Sequence, residues 1–294
     1  MSKLIHNIHC LTLSNGRPDI RLPEIQTQLL QKLASVNPRI VLVLLHGGMV
    51  GLDNVLDHVE AIVSAGYPGR YASKVLPEAL LGVIDRGVWG KSPVTWYKNS
   101  FVDEFNMLDM DMGKAPGRTH RYYTGTPNFR FGFGLNPLTT FGLTNLKVIA
   151  LSKKISTHKT LDAPEGKLVQ KCLSSIELSV KVSNSGHRAA DEVVMGYFSP
   201  KDIPESEAAS KLRLQLFGFD RIHLQAGQSQ NVSFVVQVHK TLRLATGSGK
   251  PTTFPGRYII RIGNGLDFLE TDVTVAEDGC FQMENQTDPN EVIS

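Results

Sequence analysis

Long apolar runs, aromatic residues and cysteines are all scarce in this 294-residue chain, and each scarcity closes off a class of protein. The longest apolar run is Ile40 to Leu45. A helix needs roughly 20 apolar residues to cross a bilayer, so no membrane partner is expected. Cys10, Cys172 and Cys280 are far apart and odd in number, which offers neither a disulfide framework nor the paired spacing of a zinc site. No metal and no cofactor is therefore expected. Charge of one sign is lacking too: 31 Lys and Arg face 28 Asp and Glu, for a net charge of +3. The basic residues are scattered, with no run long enough to track a phosphate backbone, so nucleic acid is not an expected partner. Met1 to Cys10 lacks an apolar core followed by a small-residue cleavage site, so no secretory signal is read there and localisation stays unassigned.

What the chain does have is punctuation. Fifteen prolines and 26 glycines favour many short elements joined by turns, and the length suggests two domains. In the first half, Ile25, Leu29, Leu30, Leu33 and Val36 recur at helical spacing behind Pro23, which predicts a helix over 24–36. Asn37-Pro38 stops it. The continuous apolar segment 39–45, ending in His46-Gly-Gly48, reads as a strand buried on both faces. Ala61 to Val63 is a second short strand, Gly66 to Gly69 a turn, and a helical stretch follows towards Leu81. Pro77 should kink that stretch or restart it, because an interior proline costs about 3 kcal/mol. From Trp96-Tyr97 to Phe141 the chain reads as irregular.

From about residue 170 the period becomes two. Ile176, Leu178, Val180 and Val182 alternate with polar residues, and segments 191–198, 212–216, 232–238 and 258–262 follow the same pattern between Gly, Pro and Asn signals. The expected architecture is α/β, a partial three-layer α/β sandwich, over residues 1–143, followed by an all-β fibronectin type III-like sandwich over 144–276. Leu146 to Leu151 supplies a first strand, and 153–171 is a linker without periodicity. The acidic, polar end, 277–294, is expected to be disordered. Asn231-Val-Ser233 and Asn285-Gln-Thr287 match the N-glycosylation pattern.

Several segments fall in a recognisable order: Leu22-Pro23 opening a helix, the strand to Gly47-Gly48, Ala65-Gly-Tyr-Pro-Gly69, Pro93-Val-Thr-Trp-Tyr97, Gly117-Arg-Thr119 with Arg121-Tyr-Tyr-Thr-Gly125, and Phe131-Gly-Phe-Gly-Leu135. In this order they resemble the second domain of family 3 glycoside hydrolases, enzymes of the β-glucosidase and β-xylosidase type. Asn184-Ser-Gly186, Asp191-Glu-Val-Val194, Gly218-Phe219 and Pro255-Gly-Arg-Tyr258 are similar to the fibronectin type III-like domain that closes many members. The resemblance implies hydrolysis of O-glycosyl bonds and a carbohydrate partner.

It also implies that the catalytic aspartate belongs to an N-terminal barrel, and that the acid/base comes from the second domain. A barrel of that kind takes about 200 residues or more, and here the second-domain pattern begins within the first twenty, so the barrel is expected outside this chain, supplied by a missing domain or a partner chain. Family members place an acid shortly before an Asp-Arg pair. Here that pair reads Gly16-Arg17, and residues 1–18 contain no Asp or Glu. No catalytic residue is assigned. The candidates for a face towards barrel or sugar are Arg17, His46, Tyr67 and Arg118. For Arg17 the plainer reading is an exposed arginine near a helix start; for Arg118 it is a solvated arginine in a segment packing its tyrosines.

Two other motifs compete. Segment 41–48 resembles the strand and oxyanion loop of esterases, but no Gly-x-Ser-x-Gly elbow occurs in the chain; that reading needs a serine within hydrogen-bond reach of a histidine near Gly47-Gly48. Gly90-Lys-Ser92 ends like a phosphate-binding loop, yet Asp85 stands where its first glycine must be. The functional expectation is thus the C-terminal portion of a β-glycosidase-like protein, inactive alone. A non-catalytic carbohydrate- or protein-binding module is the alternative, with an esterase behind it.

Overall fold

A computed structural model describes the backbone of residues 4–9, and residues 19–84, 89–106, 108–136, 139–151, 173–203, 211–246 and 249–282. The chain divides into two compact units, Met1–Leu135 and Asn136–Ser294. The linker expected at 153–171 and Arg17 lie outside the described residues.

Unit 1 is α/β. Strands β1 (Leu4–His9), β2 (Ile40–Leu45) and β3 (Ala61–Gly66) form a parallel sheet with β2 in the middle. Parallel neighbours need a crossover, and helix α1 (Glu24–Val36) provides the one between β1 and β2. It starts where predicted: the Pro23 carbonyl accepts the amides of Gln26 and Thr27 at 2.9 and 3.2 Å. At its end Asn37 N–H donates to Leu33 O at 2.8 Å, and the Asn37 side-chain oxygen takes the amide of Arg39.

The core forms because Ile40, Leu42 and Leu44 are buried and must be covered. Leu22, Leu30, Val50, Leu52, Val55 and Trp96 pack with them. The apolar stripe of α1 is only half used. Leu30 and Leu33 reach the core, whereas Ile25, Leu29 and Val36 are exposed.

Three readings change in unit 1. Helix α2 (Ala72–Leu80) runs on through Pro77 instead of restarting there. It ends at Gly82, whose φ of +70° suits glycine, while Val83 N–H closes back on Glu78 O at 2.8 Å. The strand β1 went unread because Leu4-Ile-His-Asn-Ile-His9 mixes polar and apolar residues without a clean period. The stretch read as irregular contains two one-turn helices, Phe101–Glu104 and Thr119–Tyr122.

Unit 2 is all-β. It comprises β4 (Phe141–Leu151), β5 (Ser175–Asn184), β6 (Ala190–Lys201), β7 (Gln215–Leu224), β8 (Ser229–Gln237), β9 (Gly256–Gly263), β10 (Phe268–Val275) and β11 (Phe281–Gln282). One antiparallel sheet has the order β4-β5-β8, the other β11-β10-β9-β6-β7. The predicted alternation is present: Ile176, Leu178, Val180 and Val182 are buried, as are Val232, Phe234 and Val236. Phe217 of β7 meets Phe234 of β8 edge-on at 6.1 Å, joining the two sheets.

The turns are held by buried amides. Asn184 donates from Nδ2 to Arg188 O at 2.8 Å and Leu224 O at 3.1 Å, while its Oδ1 accepts from Gly186 N–H and Thr139 Oγ1. Asn264 does the same for the β9–β10 turn, its Oδ1 accepting the amides of Leu266 and Asp267. The tail expected to be disordered departs from that in its first six residues. Gly279 turns the chain at φ +77°, Cys280 and Phe281 are buried, and β11 pairs with β10. Cys280 is also disulfide-bonded, although the number and spacing of the cysteines offered no disulfide framework; distance along the chain says little once strands fold back on one another. Cys10 and Cys172 lie outside the described residues.

Because Leu178 is fully buried at the centre of β5, Leu178→Ala should destabilise unit 2 by about 2–5 kcal/mol. Urea unfolding followed by the fluorescence of the chain, compared with the parent, checks this.

Candidate functional site

In open parallel sheets, ligands sit beyond the C-terminal ends of the strands. In unit 1 those ends are Leu45, leading to His46-Gly47-Gly48, and Gly66, leading to Tyr67-Pro68-Gly69. A register shift between Leu44 and Leu45 brings Leu45 opposite Gly66, and His46 N–H donates to Gly66 O at 3.1 Å.

His46 is only 8% exposed. Its Nδ1 lies 2.6 Å from Gly48 O, which can only accept, so Nδ1 carries a proton. Its Nε2 lies 2.8 Å from the Ser64 hydroxyl. The Trp96 ring stands edge-on to the imidazole at 5.3 Å, and Trp96 Nε1 donates to Ser92 Oγ at 2.8 Å. Tyr67 is 63% exposed, yet its ring end lies so near Gly47 that a Cβ there would meet it at 2.2 Å. Glycine at 47 is what lets the tyrosine lie over the turn.

Trp96 is followed by Tyr97, which anchors a second group. The Tyr97 ring stacks on Phe101 at 3.8 Å and meets Tyr123 edge-on at 4.8 Å, and its hydroxyl accepts the amide of Thr119. Burial raises the pKa of the Tyr97 phenol. Arg118 is half-buried: its guanidinium lies 4.3 Å over the Phe105 ring and donates from Nη2 to Asp109 O at 2.8 Å. His120 stacks on Phe131 at 4.0 Å. Burial, with the charge of Arg121 beside it, pulls the His120 pKa down to about 4. Arg118 Nε, His120 Nε2 and Arg121 Nε are buried and meet no acceptor among the described residues.

The structure thus places His46 and Tyr67 at adjoining strand ends, and Arg118 in an aromatic platform linked to them through Trp96-Tyr97. Sequence reasoning missed Ser64 and the role of Trp96. The only signal was a hydroxyl in the otherwise apolar Ala61-Ile-Val-Ser-Ala65.

The Ser64–His46 contact meets the hydrogen-bond condition set for an esterase. Ser64 nevertheless lies within β3, not at a strand-to-helix elbow, and the group orienting His46 is a backbone carbonyl where a triad would have a carboxylate. The pair satisfies the ring nitrogens of a buried histidine at the edge of the core, with Ser64 itself exposed on β3, and that is the work its geometry performs.

Carboxylates near this edge are surface groups. Asp19 and Asp103 both pair with Arg21, at 2.9 and 3.4 Å. Asp109 is partly exposed, and its bond to Lys114 lowers its pKa. A general acid needs a carboxyl pushed the other way. Among the described residues of unit 1, none of the buried polar side chains is an Asp or Glu, and no cluster of His, Cys, Asp and Glu could hold a metal ion.

The glycosyl hydrolase family 3 C-terminal domain profile matches residues 12–136, and the fibronectin type III-like domain profile matches 192–265. The chain is a C-terminal region of glycosyl hydrolase family 3. It is 31% identical to "Probable beta-D-xylosidase 6" of Arabidopsis thaliana, across 86% of this chain and 34% of that protein. It is 29% identical to "Beta-xylosidase/alpha-L-arabinofuranosidase 1" of Medicago sativa subsp. varia, across 85% of this chain and 33% of that protein. The crystal structure of the β-D-glucoside glucohydrolase of Trichoderma reesei shares the fold, with a TM-score of 0.68 at 24% identity over 88% of this chain and 37% of that one. This family 3 region therefore spans about a third of the length of the curated relatives it matches.

Two outcomes follow from the geometry. Ser64→Ala should cost about 0.5–1.5 kcal/mol, the net worth of one hydrogen bond, because Ser64 is exposed and water can take its place at His46 Nε2. Adding His46→Phe should cost less than the two single changes summed, and a double-mutant cycle by urea unfolding reads the coupling. For His120, the folded pKa lies below the unfolded value of about 6.5. The unfolded chain therefore binds a proton that the fold refuses, and unit 1 loses stability as pH falls from about 6.5 to about 4. The loss is on the order of 1 kcal/mol, allowing for the ring's partial exposure. His120→Phe, which keeps the stack on Phe131, should flatten that part of a thermal-midpoint-against-pH curve relative to the parent.

Proposed function

We propose that this chain is the C-terminal portion of a β-glycosidase of the xylosidase or glucosidase type, that its α/β unit serves as one wall of a sugar cleft completed by a barrel, and that alone it hydrolyses no glycoside. Retaining hydrolysis needs two carboxyl groups about 5–5.5 Å apart, one attacking the anomeric carbon and one protonating the leaving oxygen. The observation that carries the reading is that residues 1–18, where relatives of this kind hold an acid, contain no Asp or Glu. The exposed strand-end turns and aromatic platform support a wall role: they can position a ring without moving a proton.

The surface of unit 1 supports an absent neighbour. Ile25, Val36, Leu81, Val83, Leu108 and Met110 are all more than half exposed, whereas the described residues of unit 2 include fewer such side chains, Phe219 being the most open of them. The buried Nε groups of Arg118 and Arg121, which meet no acceptor among the described residues, add donors that a partner could satisfy. Tyr67 and Arg118 are the residues we assign to that face, with His46 buried behind the turn it begins.

The purified chain, assayed on nitrophenyl β-xyloside and nitrophenyl β-glucoside, should give no turnover above buffer. Turnover that disappears on substituting a single carboxylate of this chain, such as Asp103→Asn, would refute the reading.

A further inference from the structure

We propose that Asn231 is an acceptor for an N-linked oligosaccharide, added in the lumen of the secretory pathway. Asn231-Val-Ser233 has the required hydroxyl two residues on and no proline between. Such a triplet is common by chance, and the fold decides whether it can be used. Asn231 and Ser233 are both exposed on β8, while the intervening Val232 is buried on the opposite face. The residue across the ladder from Asn231 is Lys181, itself exposed. The Asn231 amide makes no hydrogen bond to a described residue, so a substituent on Nδ2 breaks no contact and extends into solvent.

Two further features agree. β8 is an edge of the β4-β5-β8 sheet, and its outer face also exposes Val235. An uncovered edge with an apolar residue invites pairing with another chain, and a bulky hydrated group there blocks it. Cys280 of the same unit is disulfide-bonded, a bond that forms and persists in oxidising compartments, which are also where N-glycans are attached. In the transfer, Asn231 Nδ2 forms a bond to the anomeric carbon of a lipid-diphosphate-linked oligosaccharide. The anomeric C–O bond breaks, the lipid diphosphate leaves, and the amide proton passes to a base of the transferase.

The test is translation of the full 294-residue chain behind a cleavable secretion signal in the presence of microsomes, followed by glycosidase release in heavy-oxygen water and peptide mass spectrometry. The expected result is a glycosidase-sensitive shift lost in Asn231→Gln and in Ser233→Ala and retained in Asn285→Gln, with the label on the peptide containing position 231. An unshifted parent chain, or a label found only at Asn285, overturns the proposal. Because attachment precedes secretion, poor export of any variant leaves the readout intact.

Discussion

Everything in unit 1 follows from one constraint: β2 carries apolar residues on both faces and cannot be left against water. Ile40, Leu42, Val43 and Leu44 are all at most 1% exposed. Fully burying side chains of this kind is worth about 1.5–3 kcal/mol each, enough to dictate where the flanking elements go. A central position with β1 and β3 as parallel neighbours satisfies the backbone of β2, and α1 on one side with the Val50 to Val55 loop and Trp96 helps to cover its side chains. Parallel order then puts the ends of β2 and β3 side by side, which is why Tyr67 lies over Gly47 although the two are 20 positions apart in the sequence.

Unit 2 obeys the complementary rule. Apart from β6, which is buried on both faces from Val194 to Ser199, its strands mostly alternate, so its stability rests on alternation and on turns that bury no unsatisfied group. Asn184 and Asn264 carry that second burden: each is about 1% exposed and each spends its side chain on the backbone of a turn. Glu192, also buried, receives Asn264 Nδ2 and the amide of Val193, tying the β9–β10 turn to β6. Buried polar groups in a sandwich of this size serve as registration points, since a slip of one residue would strand each of them.

These differences explain what could be read in the sequence. β2 was legible because burial on both faces leaves an unbroken apolar run, and β5 because burial on one face leaves a period of two. β10 was not legible: Leu269-Glu-Thr-Asp272 faces its neighbour with charge, and Arg261 and Arg257 answer Glu270 and Asp272 across the ladder. Those pairs are long-range and leave no local pattern. The site shows the same limit. His46 could be singled out as the residue closing a buried strand, but its partner Ser64 lies on another strand, and the stack of Arg118 on Phe105 depends on how an irregular segment folds back. The motif order of Gly47-Gly48, Tyr67-Pro-Gly69 and Gly117-Arg118 identified the scaffold because backbone turns fix it; polar partners, being set by tertiary contact, had to be seen.

The strand ends of unit 1 take their shape from the same burial. A parallel sheet built on β2 is stabilised by apolar burial, and none of that burial depends on a carboxylate at the strand ends. Polar groups there satisfy one another: His46 Nδ1 bonds the Gly48 carbonyl and Nε2 the Ser64 hydroxyl. The shape of the strand ends is thus kept by packing: Trp96 on His46, Tyr67 over Gly47 and Arg118 on Phe105 hold their positions through contacts internal to the unit.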